Sequence, residues 1–327
     1  MERGTTSYRT KTRSRIGFTF PTESSPRVKR VPAQLAPQRS TSLPLPEKKG
    51  PLMSVDLSSY AHFEGLRFER PVPHVLRITI DNPAQMNALN GPLLKSVHGV
   101  WDVLDADPLT RVVIITGAGR SFCAGGAFDA MPDGAQEKGS QFNHDFAEAR
   151  ALVSNIVNCR KPIISAINGP AVGAGLAIAL LADISVAGST AKLFDGHLRI
   201  GVTPGDHALL IWPLLCGLAK AKYYLMTNRP VTGQVAEAMN LVSLSVPDEE
   251  LQQSVLDIAV NLAATAPTAL RMTKYLLNSF LRKNQDVFDL SAAFEMINFG
   301  SAENEEAMRA YRNRVPPEFD ERGSGFW

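Results

Sequence analysis

Eight residues, Asn168-Gly169-Pro170-Ala171-Val172-Gly173-Ala174-Gly175, include three glycines and no bulky side chain. Pro162-Ile163-Ile164-Ser165-Ala166-Ile167 runs into them, and an apolar segment, Leu176 to Ala182, leaves them and ends at Asp183. This stretch restricts the fold more than any other. A strand without polar alternation must be covered on both faces. Glycines entering an apolar helix leave backbone N–H groups directed at open space, where an oxygen gathering negative charge can sit. The stretch closes with Asp195-Gly196-His197 and, nine residues after His197, with Asp206 in Pro204-Gly205-Asp206. A His and an Asp there can do proton transfer beside that oxygen.

The surrounding chain supports a layered α/β fold. Val75–Ile80 alternates as a strand and stops at Asp81-Asn82-Pro83. Asn90 caps a helix with Pro92 in its first turn and Leu93, Leu94, Val97, Val100, Trp101 and Leu104 on its apolar face. Arg111–Thr116 is a strand of the doubly buried kind. A second glycine break follows it, Gly119-Arg120-Ser121-Phe122-Cys123-Ala124-Gly125-Gly126. Residues 131–140 read as a mobile loop, residues 142–158 as a helix and Ile184–Ala187 as a strand. Residues 208–227 and 234–240 are helical, Leu241–Val246 is extended, and residues 249–264, 267–282 and 287–313 are helical again. Strands alternating with helices, then helices alone, give an α/β core followed by a helical lobe. The resulting division is a leader (1–52), a core (53–265) and a C-terminal lobe with a loose tail (266–327).

Composition excludes several alternatives. Residues 1–50 carry 11 Lys/Arg against 3 Asp/Glu, which leaves 23 against 29 for the rest. A body this acidic gives no support for a nucleic-acid groove. The basic, Ser/Pro-rich leader cannot bury enough surface to order itself. It is a cloning or start-site extension before Met53 or, alternatively, an organelle transit peptide. The chain is accordingly placed in the cytoplasm, or in an organelle matrix if the leader is native. No uninterrupted apolar run reaches the ~18–20 residues that span a bilayer. Cys123, Cys159 and Cys216 are odd in number and widely spaced, which argues against a disulfide framework or a metal site. Cys123 reads as a buried small residue rather than a nucleophile.

Neither glycine break is a nucleotide-binding fingerprint. Two of them, each after a buried strand, allow one N–H from each to converge on a single oxygen. Asn87-Ala88-Leu89-Asn90 after Asp81-Asn82-Pro83, then Ser121–Gly126, then Ile167–Gly175, together resemble the enoyl-CoA hydratase/isomerase (crotonase) superfamily, over roughly residues 65–315. The resemblance implies a crotonase (ClpP-like) α/β fold, a core of repeated ββα units with a helical C-terminal trimerisation lobe. It further implies homotrimers that often pair as hexamers, and an acyl-CoA or enoyl-CoA substrate. Coenzyme A would arrive as part of that substrate, with no separate cofactor and no metal. The thioester oxygen would sit between the amides of Gly126 and Ala174. Ala124, Gly125, Gly173 and Gly175 would line the thioester, Gly173 and Gly175 because a Cβ would crowd it. Lys274 would reach the CoA phosphates or, equally, face solvent.

The departures from that pattern matter for the reaction. By the resemblance, the two glutamates that hydratases use fall here on Ala177 and His197. The acidic residue that commonly follows the first oxyanion amide falls on Ala127, with Asp129 two residues on. His197 becomes the acid/base and Asp206 the group that orients it, while His207 is expected to point elsewhere and Asp183 to be structural. The Asp-Gly-His and Pro-Gly-Asp spacing resembles a C–C bond hydrolase branch of the superfamily, oxocamphor hydrolase. Three readings therefore stand: hydration or isomerisation of an enoyl-CoA, retro-Claisen cleavage of a β-dicarbonyl, or a catalytically silent acyl-CoA binder.

Overall fold

The computed structural model describes residues 56–127 and 138–319. The basic leader, the loop around 131–137, Asp129 and the end of the tail lie outside the described residues. In chain order the first half comprises β1 (Leu66–Val72), β2 (Val75–Ile80), α1 (Gly91–Ala106), β3 (Val112–Gly117), α2 (Lys138–Asn158), β4 (Ile163–Ile167), β5 (Ala171–Val172) and α3 (Ala174–Leu181). There follow β6 (Ile184–Gly188), β7 (Lys192–Phe194), α4 (Ala208–Thr227), β8 (Val231–Thr232), α5 (Gly233–Ala238) and β9 (Leu244–Val246). The C-terminal helices are α6 (Leu251–Ala264), α7 (Pro267–Leu277), α8 (Ser279–Arg282), α9 (Gln285–Asn298) and α10 (Ala302–Asn313).

The main sheet runs β1-β2-β3-β4-β6-β9, antiparallel at β1–β2 and parallel at every later pairing. Its centre is apolar on both faces, as the uninterrupted Val/Ile runs require. Val75, Val112, Ile114, Ile164 and Val186 turn one way, onto Leu251, Val255 and Ala259 of α6. Leu76, Ile78, Val113, Ile115 and Ile163 turn the other way, into the core that holds α1 and α3. Each such side chain contributes roughly 1.5–3 kcal/mol by leaving water. The Asn90 side chain accepts from the Leu93 amide at 3.2 Å, so the helix starts where its cap dictates.

A second sheet, β5-β7-β8, lies outside the expected set. Its strands are two or three residues long, too short for any periodicity to register. The sequence also left β1 unassigned. Its burial alternates for the first five residues only, as on a sheet edge. Helix α4 is long and apolar enough by length and composition to cross a membrane, with a mean hydropathy of 1.2 over its best window. Gly217, at φ 76° and ψ 155°, breaks it into two shorter helices.

Candidate active site

The two glycine breaks are hydrogen-bonded to each other. Phe122 N and Cys123 N both donate to the Pro170 carbonyl, at 3.0 and 3.1 Å, and Val172 N donates to Cys123 O at 3.0 Å. On the far side, Leu89 N donates to Gly125 O at 2.8 Å and Ala127 N to Leu89 O at 3.1 Å. Leu89 and Gly126 thus form a parallel bridge. In that pattern the bonded groups belong to the residues flanking Gly126, so its own N–H and C=O face away from Leu89. Gly126 is exposed, and a Cβ added there would meet open space.

Ala174 is the first residue of α3, where a helix has an amide without an intrahelical acceptor. Gly173 before it, at φ 48° and ψ −123°, adopts a backbone conformation that side chains resist. Gly125, at φ 89°, has the space of its missing Cβ 2.7 Å from Val172 O and 3.8 Å from Ala174 N. The two breaks therefore approach to within one residue. Ala124 is half-buried beside them. Gly175 is needed for another reason than the one expected: its Cβ would fall 2.4 Å from Cys123 O and 2.7 Å from Cys123 Sγ, so it serves the packing of one loop on the other. Cys123 itself is buried, and burial pushes its thiol up to about 12, which removes a nucleophile.

His197 stands next to this feature, with its Cε1 3.8 Å from the Cβ position of Gly173. Gly196, at φ 90°, turns the chain so that the Asp195 carboxylate folds back on His197. Nδ1 of His197 lies 3.2 Å from both Asp195 oxygens, and its backbone N–H reaches Asp195 Oδ2 at 3.3 Å. Nε2 faces Glu295 Oε1 at 3.3 Å and Asp206 Oδ2 at 3.7 Å. All four side chains are buried.

Two expectations change. Asp206 is beyond hydrogen-bond distance of His197, and its Oδ1 instead accepts a short bond, 2.5 Å, from Nδ1 of His207. Asp195 is the residue that holds the His197 ring. His207, expected to point elsewhere, is the partner of Asp206: the turn at Gly205-Asp206-His207 holds both side chains inside. Lys274 is the second correction. It is buried, with Nζ 2.8 Å from Asp183 Oδ2 and 2.9 Å from Lys161 O, so it is committed to the interior rather than to a phosphate. Asp183 is structural, as expected: it also accepts from Ile163 N at 2.7 Å.

Glu295 was not anticipated. It lies on the stripe Phe288, Ser291, Ala292, Glu295 that α9 turns inward, and an acid on a buried stripe was the available signal. Burial raises its carboxyl above the ordinary range, against the pull of His197. Burial also opposes a charge on His197. The Asp206 and Asp195 charges, with the bonds to Asp195 and Glu295, outweigh it and raise the imidazole well above its ordinary value. Burial likewise works against the Asp206 carboxylate, but His207 and His197 hold it down at about 2. The site thus favours a charged imidazole beside a set of carboxyl groups, an arrangement that can donate and recover a proton. Ala177, fully buried on α3, transfers none. Asp195, Asp206 and His207 bring one donor atom each within 4.8 Å of one another, a spacing compatible with a cation. Their closest contacts are to the imidazoles and to each other.

The chain matches the enoyl-CoA hydratase/isomerase family over residues 73–322. It is 31% identical over 243 residues to a short-chain-enoyl-CoA hydratase of Clostridium acetobutylicum, covering 72% of this chain and 89% of that protein. It is 30% identical over 265 residues to a protein of Mycobacterium tuberculosis named probable enoyl-CoA hydratase, covering 77% and 91%. Among solved structures, an enoyl-CoA hydratase/isomerase from Mycobacterium paratuberculosis superposes with a TM-score of 0.70 at 28% identity, covering 75% of this chain and 97% of that one. The stitched glycine breaks, the parallel core and these matches agree, and the chain belongs to the enoyl-CoA hydratase/isomerase family of the crotonase superfamily.

Proposed function

We propose that this protein binds an acyl-CoA thioester with its carbonyl oxygen between the amides of Gly126 and Ala174, and that it acts as an enoyl-CoA hydratase with His197 as the proton-transfer group. The observation that carries this reading is the direct hydrogen bonding of the two glycine breaks, with His197 Cε1 3.8 Å from where a Cβ on Gly173 would sit. Two N–H groups on the thioester oxygen would stabilise the enolate that forms as water adds at C3 or a proton leaves C2. Losing one such donor costs about 3–4 kcal/mol, the largest single contribution expected. His197, charged and held by Asp195, would give its proton to the enolate carbon, and Glu295 on the same imidazole edge would take one from water. Coenzyme A enters as part of the substrate, with no further cofactor required by this scheme.

Retro-Claisen cleavage is the second reading, favoured by one observation. A charged imidazole beside the thioester site would hydrogen-bond a second, β-placed carbonyl oxygen as well as it would protonate a carbon. Turnover of crotonyl-CoA against turnover of a cyclic β-diketone, followed by product analysis, separates the two. Binding of thioesters without turnover of either compound would sink both and leave a silent binder.

Self-association as a homotrimer or hexamer belongs to the same proposal. Met272, Tyr275, Leu276, Leu277 and Phe280 on α7 and α8 are each more than 60% exposed, an apolar face that a partner copy would cover. A cytoplasmic site of action fits the three free thiols.

A further inference from the structure

Asn87 is completely buried and takes a left-handed backbone, φ 60°, which asparagine tolerates better than most residues. Its Nδ2 donates to Ala118 O and Ser121 O, both at 2.9 Å, and lies 3.3 Å from Phe122 O. Its Oδ1 accepts from Asn82 N at 2.9 Å. Asn168 braces the same loop from the other side. Its Oδ1 accepts from Gly117 N at 3.0 Å, and its Nδ2 donates to Gly119 O at 3.0 Å and Ser121 O at 3.2 Å.

The loop after β3 has left its strand ladder, so these carbonyls depend on partners from elsewhere. A buried carbonyl without one is costly. Two side-chain amides supply them. The backbone beside Asn87 then grips the continuation of the loop: Ala124 N donates to Met86 O at 3.1 Å, and Leu89 bonds on both sides of Gly126. Residues 86–89 therefore grip both ends of the segment 118–127, and the Gly126 amide, lying between the two bonds to Leu89, turns outward from it.

We propose that Asn87 is a positioning residue for the oxyanion donor at Gly126: by fixing the 118–122 loop it sets where the Gly126 N–H points, and so governs how strongly a bound thioester carbonyl is polarised rather than how tightly the thioester binds. The inference rests on the oxyanion-hole reading above. Asn is specified at this position because it combines a paired donor, an acceptor and tolerance of positive φ. Asp keeps the shape and the acceptor but aims negative charge at three carbonyls, and Gly keeps the backbone but removes the amide.

The test is isotope-edited infrared spectroscopy of butyryl-CoA labelled with carbon-13 at its carbonyl, bound to wild type, Asn87→Asp and Asn87→Gly, with Kd from calorimetry. Wild type should shift the carbonyl stretch to lower wavenumber. Both variants should lose most of that shift with Kd little changed, and turnover of crotonyl-CoA should fall about 10²-fold, as misplacement by about an ångström does. Should one variant fail to fold, the other carries the measurement. A variant that loses thermal stability but keeps the full carbonyl shift would overturn the inference and leave Asn87 a structural residue. No shift in wild type would overturn the oxyanion-hole reading itself.

Discussion

Nδ1 of His197 lies 3.2 Å from both carboxylate oxygens of Asp195, a residue two positions earlier in the chain. The ring is thereby held by its own turn, whereas Nε2 is left to Glu295 and Asp206, which arrive from distant segments. Local holding fixes the orientation of the ring, and long-range packing decides what its Nε2 edge can do.

His197→Ala should keep thioester binding and lose turnover by about 10²–10⁴-fold, the usual contribution of a positioned acid/base. Asp195→Asn should keep the ring in place but weaken the opposing charge, moving the alkaline limb of the turnover profile to lower pH. Calorimetry and pH-dependent kinetics on both variants check this. Unchanged turnover in His197→Ala would remove the residue from the mechanism.

Stability should depend on pH through the same cluster. The folded His197 holds its proton more tightly than the unfolded one, so its contribution is complete below about pH 6.5 and is lost as pH rises through the raised folded value. Asp206 works in the opposite sense. Its carboxyl is depressed in the fold, so its contribution is present above about pH 3.9 and is lost as pH falls. Denaturant titrations across the pH range should show a decline on each side, and Asp195→Asn should flatten the alkaline one.

Gly205→Ala should disturb the site from behind. The new Cβ would fall 2.4 Å from Glu295 Oε2 and 2.7 Å from Ser291 O, closer than real contacts allow. Overpacking of this kind costs about 1–3 kcal/mol. Reduced thermal stability together with reduced turnover is expected, and full activity at unchanged stability would place Glu295 outside the working cluster.

Lys274→Met should destabilise the fold by about 1–3 kcal/mol, because it removes the charged donor that the buried Lys274 gives to Asp183 and to Lys161 O. KM for a thioester should stay within the error of wild type. A raised KM at unchanged stability would return Lys274 to the coenzyme.

The glycine breaks were legible because their requirements are local. Gly125 and Gly173 adopt positive φ, and strands β3 and β4 before them carry no polar residues that would need solvent. His197 was legible for the same reason, in a motif with Asp195 beside it. The partner assignment around it was not. Asp206 and His197 are nine residues apart, and sequence spacing allows contact without showing which imidazole the carboxylate takes. Lys274 reads as a helix-surface cation, and only the fold brings it to Lys161 O, just ahead of β4, and to Asp183.

By itself the sequence determined the buried strands β2, β3, β4 and β6, the helices that alternate with and follow them, the Asn90 cap and the two glycine-broken strand ends, since each depends on backbone conformation and burial within a short window. Tertiary structure alone decided that Glu295, 98 residues beyond His197, completes its hydrogen bonding, and that His207 rather than His197 gives the short bond to Asp206. The physical reason is that a buried charge is satisfied by whichever partner packing brings within about 3 Å, and that distance is a property of the folded core and not of any stretch of chain.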